Sequence, residues 1–126
     1  MTEANAQRPD LFRHDVAHDV RRELFGGKGV VRVWSLSDAP ELPFRAVLAC
    51  ELEPGASVGT HVQEHFPEIV IGVAGNGSVS VNGSTSAFGP GRVVDLARGH
   101  TLAIANDSHD APLRYLIIKA QLSGAG

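Results

Sequence analysis

Short apolar runs alternate with turn residues along most of this chain, and the pattern changes character once, near Gly29. Before that point Phe12, Val16, Val20 and Leu24 recur every fourth position. Such spacing fits a helix stripe and equally one face of a strand; a short helix or an irregular arm is the expectation. The segment GGKG at Gly26–Gly29 ends it as a turn, since its glycine spacing is wrong for a phosphate loop and Val30 stands where a hydroxyl would be needed. After Gly29, β-branched runs of strand length stop at turn signals. VVRVWSL (30–36) meets Ser-Asp-Ala-Pro, FRAVLACEL (44–52) meets Pro54-Gly55, and EIVIGVA (68–74) meets Gly75-Asn76-Gly77. SVSV (78–81) meets Asn82-Gly83, a strong hairpin signal because both positions tolerate positive φ. STSAF, RVVDL, HTLAIAN and LRYLIIKAQ (113–121) complete the series. Several short strands at this spacing, with no convincing helix between them, predict an all-β sandwich or barrel. The expected divisions are an N-terminal arm at 1–29, a barrel at 30–121 and a frayed tail at 122–126, with the first eight residues loosely held.

Length and charge narrow the classes. A chain of 126 residues makes one domain and can bury one sizeable core. Against 14 acidic residues stand 11 Lys and Arg, with no basic cluster, so nucleic acid is not an expected partner. Cys50 is the sole cysteine, which rules out an intramolecular disulfide. No apolar run approaches the length of about 18 residues that spans a membrane, and MTEANAQRPD lacks the apolar core of a signal peptide. The Asn-x-Ser triplets at Asn76, Asn82 and Asn106 then read as turns. A cytoplasmic protein with no membrane partner is expected.

The stretch that carries chemistry is PGASVGTHVQEHFPEIVIGVAG (54–75), with His61, Gln63, His65 and Glu68 close together. Gly55, His61, Gln63, Glu68 and Gly75 follow the spacing G-x5-H-x-H-x4-E-x6-G, and Gly91, Ala97, Gly99, Leu102 and Asn106 follow G-x5-P-x-G-x2-H-x3-N. In these two motifs, in order and separated by the short segment 76–90, residues 44–121 resemble the cupin superfamily. The resemblance implies a small antiparallel β-barrel of jelly-roll, double-stranded β-helix type. It also implies one divalent metal ion (Fe, Mn, Zn or Ni) held by two histidines, the glutamate and the second-motif histidine. Here His61 and Glu68 are kept, Gln63 replaces the second histidine and Leu102 the last.

His61 and Gln63 lie two apart, on one strand face, and Glu68 begins the returning strand. An imidazole, an amide oxygen and a carboxylate make a partial shell for a borderline or hard cation. His100 shares the face of Leu102, but a two-residue step of about 6.6 Å separates them; it substitutes only through a bulge at Gly99 or a displaced ion. His65, nearer the hairpin tip, is the other substitute. The expected metal set is His61, Gln63, Glu68 and His100. Candidate catalytic residues are Glu68, His61 and Tyr115.

Residues in phase with these, such as Val70, Leu102 and Ile104, give mostly apolar walls, which suit a small-molecule ligand. The resemblance implies enzymes of dioxygenase or isomerase type on small acids, sugars or aromatic compounds. Two alternatives stand beside that reading. One is a metal-free acid–base epimerase or isomerase built on His61 and Glu68; the other is a non-catalytic binder or sensor. The amphipathic arm, lacking an obvious place inside the barrel, is expected to cover a neighbour's sheet in a homodimer.

Overall fold

The computed structural model describes residues 10–37, 41 and 43–121. The first eight residues and the 122–126 tail, expected from the sequence to be loosely held and frayed, and most of the Ser-Asp-Ala-Pro turn lie outside the described residues. The strands are β1 (Asp19–Arg22), β2 (Val30–Ser35), β3 (Phe44–Leu52), β4 (Ser57–Val62), β5 (Glu68–Ala74), β6 (Gly77–Val81), β7 (Ser84–Phe88), β8 (Val93–Leu96), β9 (Thr101–Asn106) and β10 (Leu113–Ala120). Two antiparallel sheets result: a six-stranded one in the order β1-β2-β3-β10-β5-β8, and a four-stranded one in the order β4-β9-β6-β7. Turn spacing predicts a sandwich or barrel, and the two sheets agree with the jelly-roll form that the resemblance implies. Among the described residues no helix is long and apolar enough to cross a membrane.

Alternation drives the closure. On β9 Leu102, Ile104 and Asn106 are buried while Ala103 and Ala105 are only partly covered. Val70, Leu52, Leu113 and Tyr115 face them from the larger sheet. Burying such side chains contributes roughly 1.5–3 kcal/mol each. At one end Asn106 ties the layers together: its amide nitrogen lies 3.0, 3.1 and 2.9 Å from the carbonyl oxygens of Leu52, Glu53 and Ala111.

The arm differs from the helix expectation. It forms short 3-10 turns at Asp10–Phe12 and Leu24–Gly26, with β1 between them pairing with β2. A four-residue apolar repeat serves either periodicity, and here the open edge of β2 supplies backbone partners that no helix would use. The arm also covers the outer face of its own sheet. Phe12 is buried edge-on against Trp34, with ring centroids 6.0 Å apart at 84°. His18 stacks on Trp34 at 4.5 Å, and Trp34 donates through Nε1 to the Arg13 carbonyl at 2.9 Å. His14 reaches the buried carboxylate of Glu51, whose other oxygen accepts from Arg114 Nε at 2.7 Å. Both arm histidines, which charge alone marks as plain surface residues, thus fasten the arm to the outer face.

Candidate functional site

Between the sheets lies a cavity of about 530 Å³. Its walls are mainly apolar, including Val31, Val33, Val58, Leu102, Ile104 and Ile117. Polar groups enter from four elements: Arg21 on β1, His61 on β4 with Gln63 just beyond it, Glu68 on β5 and Lys119 on β10.

His61 faces inward because β4 is bulged. Val58 pairs with Ile104 and His61 with Leu102, so three steps on β4 match two on β9. One extra residue at Gly59-Thr60 keeps both Val58 and His61 on the cavity side. Gly59 is required there. A Cβ at that position would collide with the carbonyl oxygen of Phe25, where the arm crosses β4. The arm is held by reciprocal backbone bonds: Lys28 N–H donates to Ser57 O at 3.2 Å, and Ser57 N–H donates to Lys28 O at 2.8 Å.

The imidazole itself is held on three sides. Its Nδ1 lies 2.9 Å from Gly59 O. A carbonyl can only accept, so Nδ1 carries the proton and Nε2 the lone pair. Nε2 accepts from the Gln63 amide at 3.2 Å. Phe25 stacks on the ring face, centroids 4.0 Å apart and planes at 11°.

Glu68 sits between β8 and β10, opposite Leu96 and Lys119. Its side chain is 4% exposed and its Oε2 lies 3.5 Å from Lys119 Nζ. Burial pushes its carboxyl above the usual range; Lys119 and then His61 pull it partly back. His61 and Glu68 therefore share one cavity.

Tyr115 and Cys50 are cross-strand neighbours on β10 and β3 in the same cavity wall. The phenol and the thiol are hydrogen-bonding partners. Burial pushes the thiol up to about 12 and the phenol well above its ordinary value. Both stay neutral at physiological pH.

His100 does not join the site. It precedes β9 outside the cavity lining, and its Nδ1 accepts from the Ala97 N–H at 3.1 Å. Its carbonyl accepts from Gln63 N–H at 2.9 Å, so it serves as a turn partner. His65 is at the rim, 78% exposed, 3.8 Å from Glu64. Sequence reasoning missed Lys119, Arg21 and Phe25. Lys119 was within reach, because it shares strand parity with Tyr115 and Ile117. Arg21 and Phe25 lie in the arm, where the period is ambiguous.

These side chains do not fit a resident divalent metal. Among the described residues no three His, Cys, Asp or Glu side chains gather as a metal-binding group. The Gln63 amide turns an N–H toward His61 Nε2, the one imidazole lone pair available. Leu102 fills the place opposite His61 with hydrocarbon. Glu68 already has an ammonium beside it, which repels a second cation. Four donors were expected from the sequence. The structure gathers His61, Gln63 and Glu68 around one cavity and leaves His100 out.

No protein-family model and no curated protein matches the sequence. Solved structures do match its fold. A predicted oxalate decarboxylase from Thermotoga maritima superposes with a TM-score of 0.77 at 25% identity, over 86% of this chain and 95% of that one. A Cupin 2 conserved barrel domain protein from Salinispora arenicola gives 0.66 at 23% identity, over 83% of each chain. The polyketide cyclase RemF from Streptomyces resistomycificus gives 0.70 at 21% identity, over 90% of this chain and 79% of that one.

Proposed function

We propose that this chain, which belongs to the cupin superfamily by its fold, binds a small, largely apolar carbonyl compound in its barrel and moves a proton on it without a resident metal. The observation that carries this reading is Glu68: a carboxylate 4% exposed, opening on an apolar cavity, with the Lys119 ammonium 3.5 Å away. A base works best with a pKa near the operating pH, and burial raises carboxylates toward it.

The chemistry needs no group from outside. Glu68 as carboxylate takes a proton from the carbon next to the carbonyl. The C–H electron pair becomes a carbon–carbon double bond, and the carbonyl oxygen takes the negative charge. Lys119 stabilises that oxygen as a hydrogen-bond donor. Return of a proton from the Glu68 carboxyl to the same carbon re-forms the carbonyl and completes the exchange. His61, held in one tautomer by Gly59 and Gln63, orients the ligand. Tyr115 is part of the wall.

The test is uptake of solvent deuterium, followed by NMR, into a panel of small 2-oxo acids and aryl ketones. Exchange should occur with wild-type protein, persist in chelator and vanish in Glu68→Gln. Ligand binding without exchange would leave a passive binder. Stoichiometric metal lost in both His61→Ala and Glu68→Ala would restore the metal-dependent reading.

We also propose a homodimer, paired through the larger sheet. The outer face of the larger sheet leaves Ile69 and Val93 exposed beside Ile71, Leu116 and Ile118. A monomeric mass at micromolar concentration would overturn this.

A further inference from the structure

The polarity of β1 is inverted relative to the apolar pattern of the arm. Val20, which belongs to the four-residue apolar repeat, points outward and is 45% exposed. The residue that faces the barrel is Arg21. It lies opposite Val31, and Val31 lies opposite Leu52; directly paired residues share a sheet face, and both of those partners are in the core. Arg21 accordingly lines the cavity beside Val31, Val33 and Cys50. Its side chain is 46% exposed, so the guanidinium sits at the mouth of the cavity rather than deep inside it. A valine at this position would continue the apolar wall; a guanidinium there forgoes that packing.

The cavity's other cation is already committed. Lys119 lies against Glu68, 3.5 Å away. Arg21 donates through one terminal nitrogen to Asp19 at 3.1 Å, but that carboxylate is 70% exposed and open to exchange. A guanidinium carries five donors in a planar fork that matches a carboxylate. Between Arg21 and Glu68 the walls are hydrocarbon, with Val31, Val33, Leu48 and Ile117 among them.

We propose that Arg21 is the anchor for the carboxylate of the ligand, so that the compound bound in the barrel is a small acid with an apolar body. This rests on the reading of the cavity as a small-molecule site and goes further by naming the class of ligand. The acid's charge sits at the arm side of the cavity on Arg21. Its apolar body fills the barrel, and the carbon next to its carbonyl reaches Glu68. An edge strand can also carry inward charges to block pairing with other chains; that role gives Arg21 no part in ligand affinity.

The experiment compares phenylacetate with its uncharged isostere phenylacetamide, titrated at low ionic strength and followed by NMR or calorimetry. Wild-type protein should prefer the acid by about tenfold or more, the scale of a charge-assisted hydrogen bond. Arg21→Gln should abolish that preference by weakening the acid and sparing the amide. Arg21→Lys, which keeps the charge and loses the fork, should fall between. Arg22→Gln, on the outward face of the same strand, should keep the wild-type preference. Equal affinities in wild type, or a preference that survives Arg21→Gln, would overturn the assignment and leave the cavity reading standing. Failure of both probes to bind at millimolar concentration would overturn both.

Discussion

Leu102 faces His61 in register across the pair of β9 and β4, and both side chains line the barrel cavity. A leucine therefore occupies the point on β9 from which a fourth metal ligand would reach. Replacing Leu102→His and Gln63→His together should create three imidazoles beside Glu68. We expect this double variant to bind one zinc or nickel ion per chain, measured by calorimetry, while wild-type protein binds none stoichiometrically. Without metal the variant should be less stable by about 1–3 kcal/mol, because a buried imidazole replaces a well-packed leucine. Stoichiometric binding by the wild type would show that Gln63 rotates its amide to make a competent shell.

The raised carboxyl of Glu68 has a consequence for stability. A group whose folded pKa exceeds its unfolded value stabilises the fold below the unfolded pKa, about 4.3 for glutamate. That stabilisation is lost as pH rises through the folded value. Glu68→Gln removes the charge but keeps the shape. We expect it to melt higher than wild type at pH 7, by roughly 2–4 °C, and no higher at pH 4. Melting curves across that range decide it; a variant that melts lower at pH 7 would mean the Lys119 pair outweighs desolvation.

Glu51 is buried on the opposite face of the same sheet, between Arg114 and the arm's His14. Arg114→Met would leave a buried carboxylate with the His14 imidazole as its remaining hydrogen-bond partner. Stripping a buried charge of a partner costs about 3 kcal/mol at the low end, and we expect that loss in chemical denaturation. Replacing both residues, Glu51→Leu with Arg114→Met, should recover most of it. A double variant as unstable as the single one would place the cost in lost packing of Arg114 over Phe12, whose ring centroid lies 5.7 Å from the guanidinium carbon.

The barrel was legible because its strands alternate and its turns are explicit. FRAVLACEL, EIVIGVA and STSAF become β3, β5 and β7 without a residue's change. Glu68 and His61 were legible as cavity residues from motif spacing and strand parity. The arm was not, because a repeat of four satisfies both periodicities and only the free edge of β2 decides between them. The donor set was not either. Parity put His100 on the face of Leu102, but the strand starts after it, and its ring turns back to the Ala97 N–H. The bulge on β4 had a signal in Gly59, a glycine inside a strand pattern. Which residue it would turn inward depended on the path of the arm, and no local pattern encodes that.

Phe25 closes the site from the arm side, and it does so in a strained backbone. Its φ is 52°, with Glu23 at 50°, in the left-handed region that costs a non-glycine residue roughly 1–2 kcal/mol. The ring is 56% exposed, yet it stacks flat on His61. Phe25→Gly would release the strain and remove the stack together. Because little of the ring is buried, the two effects should nearly cancel, leaving stability within about 1 kcal/mol of wild type. Access to the cavity should change far more. We expect phenylacetamide to enter and leave several-fold faster in Phe25→Gly, read from NMR line shapes, with His61 resonances shifted by loss of the aromatic ring current. Unchanged exchange rates would assign the ring to holding His61 in place rather than to guarding the entrance. A loss of several kcal/mol would instead make the arm crossing at Gly59 a structural clamp that Phe25 locks.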